Sequence, residues 1–327
     1  MVTKHKNFVP RGVIPACLLP FHDDLTIDEA SFTKHLTYVA AAPGISAITI
    51  NAHSTEVASC TLDEQARVLG IAQIAIGDKI PLVHGVYAEG SLEAARIAAQ
   101  ATKGGAAALL VFPPGLFTMG HRPEMVIAHY QRIADASELP IIAFNYPLGT
   151  GQGYTTEMIV ELARAVPSVR AIKDWCAQPV QHERNVRVLQ ALSPAVHVLS
   201  THSAWLLGSL VSGCDGLLSG SGSVIADWQA QLFAAVRSND LATARRVNDA
   251  ITPLAEVFYA SPAVDMHNRM KQALVLLGRI PSAAVRPPLV KLPAAEIARI
   301  RATLIACGLL GADGRSEPRA DQREAAE

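Results

Sequence analysis

Pro140-Ile141-Ile142-Ala143-Phe144-Asn145-Tyr146-Pro147, then TTEMIVELARA at 155–165, then Val169-Arg170-Ala171-Ile172-Lys173-Asp174: these three stretches decide the fold. The first and third are short apolar runs of the kind that form strands buried on both faces. The middle one repeats apolar residues at helical spacing. A strand, a helix and a second strand in that order make a βα unit feeding a parallel sheet. Working outward, the same alternation recurs eight times. Strands are expected at 12–19, 45–51, 80–85, 106–112, 140–145, 169–173, 196–200 and 215–219. Helices are expected at 28–41, 62–76, 91–102, 123–136, 155–165, 180–192, 204–211 and 223–236. Eight such units in about 230 residues match a (β/α)8 TIM barrel. A doubly wound sheet would want a glycine fingerprint after the first strand, where Pro20-Phe21-His22-Asp23-Asp24 stands instead.

The expected domains are an N-terminal segment at 1–11, a barrel at 12–237, a helical appendage at 238–312 and a disordered tail at 313–327. The appendage holds three further helical stretches, at 241–258, 265–277 and 294–307. The tail, DGRSEPRADQREAAE, is charged and lacks bulky apolar side chains.

Half of the 327 residues are apolar, 17% are charged and the formal net charge is −1. That balance offers no electrostatic case for nucleic acid or an anionic membrane surface. No apolar run approaches bilayer-spanning length, and the N-terminus lacks the apolar core of a signal peptide. The five cysteines are scattered without a C-x-x-C pair, so reduced thiols, a cytoplasmic location and no structural zinc are expected.

In a TIM barrel the reactive groups gather where strands end and βα loops begin. Those positions hold Asn51, His53, Ser54, His84, Tyr87, Asn145, Tyr146, Lys173, Asp174, Thr201, His202, Ser203 and Ser219. Of eight lysines, Lys173 alone ends an expected barrel strand. It is either an ion-paired structural lysine, bonded to Asp174 or a loop carboxylate, or an amine nucleophile. A free lysine leaves about one amine in two thousand unprotonated at pH 7, and lowering its pKa to around 7.5 needs roughly 4 kcal/mol. A dry barrel mouth supplies that by desolvation. Spacing alone leaves the two readings level.

Short motifs then add a resemblance. Gly12-Val13-Ile14-Pro15-Ala16, Ala52-His53-Ser54-Thr55-Glu56, Phe144-Asn145-Tyr146-Pro147, Ala171-Ile172-Lys173-Asp174 and Asp215-Gly216-Leu217-Leu218-Ser219 follow one another in order. Together they resemble the dihydrodipicolinate synthase and N-acetylneuraminate lyase superfamily, from Gly12 to about Leu310. The resemblance implies a Schiff base between Lys173 and a pyruvate-like α-keto acid, with no cofactor and no metal. It implies Ser54 and the Ser54/Thr55 backbone N–H groups as the carboxylate cradle. It further implies Phe144, Asn145, His84, Leu218 and Ser219 as substrate contacts, and a homo-oligomer, dimer or tetramer.

Three departures separate this chain from the synthase branch. The proton-transferring tyrosine of the family motif is Phe144 here, its carboxylate-binding arginine is Gly149, and paired tyrosines give way to Pro114 and Gly115. Dihydrodipicolinate synthesis is therefore not expected. His53, in the place of a loop threonine, and Tyr146 are the expected proton carriers. The expected function is a lyase or aldolase acting on an α-keto acid and an unidentified aldehyde or leaving group. The alternatives are a related protein that binds an α-keto acid without normal turnover, and a metal-dependent barrel hydrolase using His53, His84 and His202.

Overall fold

The computed structural model describes residues 5, 7–311, 313 and 314. Apart from Asp313 and Gly314, the expected tail lies outside the described residues. Eight parallel strands alternate with helices: β1 (Gly12–Pro15), β2 (Ile48–Ile50), β3 (Leu82–Val86), β4 (Ala108–Val111), β5 (Ile141–Asn145), β6 (Val169–Asp174), β7 (His197–Ser200) and β8 (Gly216–Ser219). The order around the sheet is β1-β8-β7-β6-β5-β4-β3-β2. Isolated parallel bridges Val13–Ile45 and Ala16–Thr49 join the two ends. This is a (β/α)8 barrel.

Helices α1 (Glu29–Ala40), α2 (Leu62–Ile76), α3 (Ser91–Lys103), α4 (Pro123–Ala136), α5 (Thr156–Ala165), α6 (Pro179–Leu189), α7 (Leu206–Val211) and α8 (Gly222–Arg237) surround the strands. Their starts are chemically marked. Asp28 caps α1 through the Ser31 N–H, Thr155 caps α5 through the Met158 N–H, and Thr61 with Glu64 forms a reciprocal capping box on α2. Helices α9 (Leu241–Phe258), α10 (Met266–Leu276) and α11 (Ala294–Ala306) follow the barrel. Most strands are shorter than their apolar runs. The run at 12–19 keeps only four residues in β1, because Ala16–Leu19 are buried by packing rather than by a continuous ladder.

Side chains alternate between a barrel interior and an outer layer beneath the helices. Ile14, Ala47, Val83, Ala108, Leu110, Ile142, Phe144, Ala171, Leu199 and Leu218 form the interior cluster. Ile48, Ile50 and Leu82 instead pack outward toward α1 and α2.

The β1–β8 seam closes on glycine. Gly12 and Gly216 are register partners, and a Cβ on Gly216 would lie 2.0 Å from the Gly12 carbonyl oxygen. Gly216→Ala must therefore push the seam apart. It is expected to cost about 2 kcal/mol or more in urea unfolding, against near neutrality for Gly149→Ala, whose Cβ would meet open space.

Candidate active site

Parallel register decides which polar groups face the barrel interior. Phe144, Lys173 and Leu199 are partners across β5, β6 and β7, and so are Asn145, Asp174 and Ser200 one residue on. The first row points inward and the second outward. Lys173 is 7% exposed, and its Nζ sits 4.1 Å from the centroid of the Phe144 ring. Among the described residues no carboxylate pairs with it, and burial lowers its pKa from the ordinary lysine value to about 7.

Asp174, its neighbour, is engaged on the other face. One carboxylate oxygen accepts from Asn145 Nδ2 at 3.0 Å and the Cys176 N–H at 3.1 Å. The other accepts from Asn185 Nδ2 at 3.0 Å and lies 2.8 Å from His182 Nδ1. His182 Nε2 is 2.8 Å from Ser209 Oγ, which is 2.6 Å from Ser200 Oγ. Asp174, His182 and Ser209 thus have the connectivity of a hydrolase triad, but all three are fully buried and no substrate reaches the serine. The network instead holds the end of β6, and it removes Asp174 as the ion-pair partner of Lys173.

The same alternation corrects two expected contacts. Asn145 does not face the site: its side-chain oxygen accepts from the Tyr154 N–H at 2.8 Å while its amide serves Asp174. His84, in register with Ile50 and Leu109, is also on the outer face. Its ring lies between Asn51 Nδ2 at 2.8 Å and the Gly85 carbonyl at 2.8 Å, fully buried. A third correction concerns Thr55, whose N–H and Oγ1 both bond to the Ala52 carbonyl, at 3.0 and 2.8 Å. The Thr55 groups expected in a carboxylate cradle are already spent. Ser54 differs, because its buried Oγ has no partner among the described residues. Leu218 is an interior filler, and Ser219 stands behind the wall, bonded to Ser203 and Ser221 at 2.9 Å each.

His53 and Tyr146 come together. His53 Nε2 lies 3.4 Å from the Tyr146 hydroxyl, and the His53 ring stacks on Phe112 with centroids 4.6 Å apart. Tyr146 follows β5 directly and packs its ring 4.3 Å from that of Phe144. Burial, with Lys173 adding to it, pushes His53 from the ordinary histidine value down to about 3. It is a neutral base or acceptor at pH 7, facing a tyrosine whose pKa burial raises.

A cavity of about 310 Å³ opens beside Lys173, with His53 and Phe144 on one side and the loops after β6, β7 and β8 on the other. The far wall was not legible in the sequence as site. Tyr259 and Ala263 come from the segment joining α9 to α10, and Met266 and His267 from the first turn of α10, all in the expected appendage. Two features bring them in. Buried Arg269 donates to the carbonyls of Phe258, Ala260 and Pro262 and to Glu296. Gly220 leaves room for His267, whose Nε2 would lie 2.9 Å from a Cβ there. Below, Lys271 reaches Glu56 at 2.5 Å, and Glu56 accepts the Arg286 N–H at 2.8 Å. The helix is thus tied to the loop that carries His53. The glycine-rich loop at 149–153 is anchored by Gln152 to the Pro113 and Pro114 carbonyls and by His121 to Gly151.

Among the described residues, Asp174, Cys176, His182 and His202 are close enough to hold a metal, with donor atoms within 4.8 Å of one another. Asp174 and His182 are satisfied by the bonds above, and His202 Nε2 faces Cys176 Sγ at 3.8 Å. The trio His53, His84 and His202 expected of a metallohydrolase does not converge, since His84 lies on the outer face. No helix among the described residues is long and apolar enough to cross a membrane.

An eight-stranded parallel barrel with a buried, unpaired lysine at the end of its sixth strand defines a class of barrel built around a desolvated amine. The chain belongs to the dihydrodipicolinate synthetase family, whose family model matches residues 9–306. It is 27% identical over 287 residues to a 4-hydroxy-tetrahydrodipicolinate synthase of Methanococcoides burtonii, covering 86% of this chain and 93% of the relative. It is 29% identical over 282 residues to an N-acetylneuraminate lyase of Rhizobium meliloti, covering 86% of each. The fold matches a prophage protein of the dihydrodipicolinic acid synthase family from E. coli K12, solved in complex with pyruvate. That TM-score is 0.85 at 22% identity, over 92% of this chain and 99% of the other. A structure described as the first monomeric dihydrodipicolinate synthase variant matches at TM-score 0.86 and 24% identity, over 95% and 100%.

A cation held without a partner weakens the fold. Lys173 is neutral more readily folded than unfolded, so between about 7 and 10.5 the unfolded chain binds more protons and stability rises with pH. Lys173→Met should therefore be more stable than the wild type at pH 7, on the order of a few kcal/mol. The advantage should shrink toward pH 10, as thermal melts across that range would show.

Proposed function

We propose that this protein forms a Schiff base between Lys173 and the ketone of pyruvate or a pyruvate-derived α-keto acid, and that it acts as a lyase or aldolase. Lys173 carries the reading, as a buried amine without a counter-ion beside a cavity. With a pKa of about 7 it is half unprotonated at pH 7, roughly a thousandfold more free amine than an ordinary lysine offers. The amine adds to the ketone carbon and water leaves, giving an iminium. Loss of a proton from the adjacent carbon gives an enamine, which adds to an aldehyde. The reverse sequence cleaves a carbon–carbon bond.

Proton transfer is assigned to Tyr146 with His53. Because His53 is neutral, its ring takes a hydrogen bond from the Tyr146 hydroxyl and orients it, so that Tyr146 gives its proton to the substrate in one step and takes it back in the reverse. Phe144 acts differently, since its ring face borders the amine and favours the iminium cation. Ser54 Oγ, buried and unpartnered, is the proposed hydroxyl donor to the α-carboxylate. Gly149, Pro114 and Gly115 leave no arginine or tyrosine pair where the synthase branch has them, so aspartate semialdehyde is not the proposed acceptor. Assembly as a homo-oligomer remains part of this reading.

Pyruvate with borohydride is expected to label Lys173, as peptide mass mapping reads directly. An adduct on another lysine, or none with any of several α-keto acids, overturns the proposal. The labelling rate should rise with pH up to about 7 and then level, whereas an ordinary lysine keeps gaining through pH 9.

Tyr146→Phe should leave trapping largely intact and slow deuterium exchange at the pyruvate methyl by about a hundredfold or more. His53→Gln should slow it less, because glutamine still accepts a hydrogen bond. Unchanged exchange in both variants would favour binding without turnover.

A further inference from the structure

The cavity beside Lys173 carries information about the second half of the substrate. Building on the Schiff-base reading, we infer that the aldehyde half handled here is uncharged and aromatic. Trp175 and Trp205, two of the three tryptophans in the chain, line the cavity with Tyr259, Phe144 and Met266. Both tryptophans are only partly buried in the structure and border the cavity, so part of each ring is accessible to a ligand. Flat rings gain both buried area and edge-to-face contact from such walls.

The tryptophans are set in place rather than loosely exposed. The Trp175 ring packs edge-on to Tyr146 with centroids 5.7 Å apart. The Trp205 ring packs edge-on to His182 and His202 at 5.7 and 6.0 Å. Gly208 makes the second arrangement possible, because a Cβ there would lie 2.2 Å from Trp205 Nε1.

Charge points the same way. Among the described residues the cavity wall contains no arginine, aspartate or glutamate, and Lys173 is its one lysine. Burial keeps its histidines neutral at pH 7: His53 is held down to about 3, His202 to about 4, and His267 well below the usual histidine value. When the aldehyde arrives Lys173 is held as the neutral enamine, and a carboxylate or phosphate on the aldehyde would be desolvated with no opposite charge among the described lining residues to meet it. Thr201 and the Ser203–Tyr259 hydroxyl pair, 2.8 Å apart, are the polar groups left for one or two hydroxyls.

The reaction balances without any further reagent. The enamine carbon bonds to the aldehyde carbon, the aldehyde oxygen takes up the proton, and water hydrolyses the iminium to free the lysine. In reverse, the same bond breaks and the aromatic aldehyde departs.

The test pairs condensation with binding. Wild-type protein is assayed with pyruvate and, separately, benzaldehyde, D-glyceraldehyde and succinic semialdehyde. Benzaldehyde should show kcat/KM at least a hundredfold above the other two. In Trp205→Ala the ratio of benzaldehyde to acetaldehyde turnover should fall about tenfold, a ratio that is internal to the variant. Binding is read separately in Lys173→Ala, where no imine forms. There 4-phenyl-2-oxobutanoate should quench tryptophan fluorescence at concentrations at least tenfold below 2-oxobutanoate or 2-oxo-3-deoxygluconate. Preference for the sugar-like or the charged aldehyde, or equal binding of the three oxo acids to Lys173→Ala, overturns the inference. Absence of borohydride trapping in the wild type would instead remove the Schiff-base reading, and the fluorescence titration would still decide the aromatic preference.

Discussion

The site rests on one amine kept out of water without a counter-charge. Lys173 projects from β6 into the barrel interior, where its amine lies over the Phe144 ring and the carboxylate beside it in sequence faces away. Had Asp174 shared its face, Coulomb attraction would have kept the ammonium charged. The strand's alternation prevents this. One residue of register separates an aromatic interior from an outer polar network, and this separation leaves the amine half neutral near pH 7.

The outer network has its own logic. A fully buried carboxylate is costly unless every lone pair is met, and Asp174 meets four donors from β5, the loop after β6 and helix α6. Continuing through His182, Ser209 and Ser200, the chain of bonds fastens α6 and α7 to the ends of β6 and β7. These are the same strand ends from which the loops bearing Trp175 and Trp205 depart. Stability in the outer layer thus fixes the geometry of the cavity wall.

The helices after the barrel complete that wall. Arg269 gathers three carbonyls at the turn after α9, and Lys271 ties α10 to Glu56, three residues beyond His53. Buried charges of this kind contribute little net stability but are severe to disrupt. Their evident consequence here is placement: Tyr259, Met266 and His267 stand over the lysine. A region that resembles an appendage in sequence is structurally the fourth side of the cavity.

The sequence by itself determined the architecture and the lysine. Eight apolar runs alternating with amphipathic helices have few solutions, and Ala171-Ile172-Lys173-Asp174 put one lysine at a strand end. Helix limits were legible to within a few residues because caps such as Thr61, Thr155 and Asp28 are local chemistry. Facing was not legible. Asn145 and His84 share strands with interior residues yet point outward, and Thr55 spends its polar groups on Ala52. Period-2 alternation could have flagged the first two, but the twist at a strand's end decides which polar residue turns inward. The protonation state of His53 was equally hidden, since desolvation depends on everything packed around a ring. The contribution of Tyr259 and His267 depended on contacts between residues some ninety positions apart and more, which no local pattern encodes; only the folded chain brings them to Lys173.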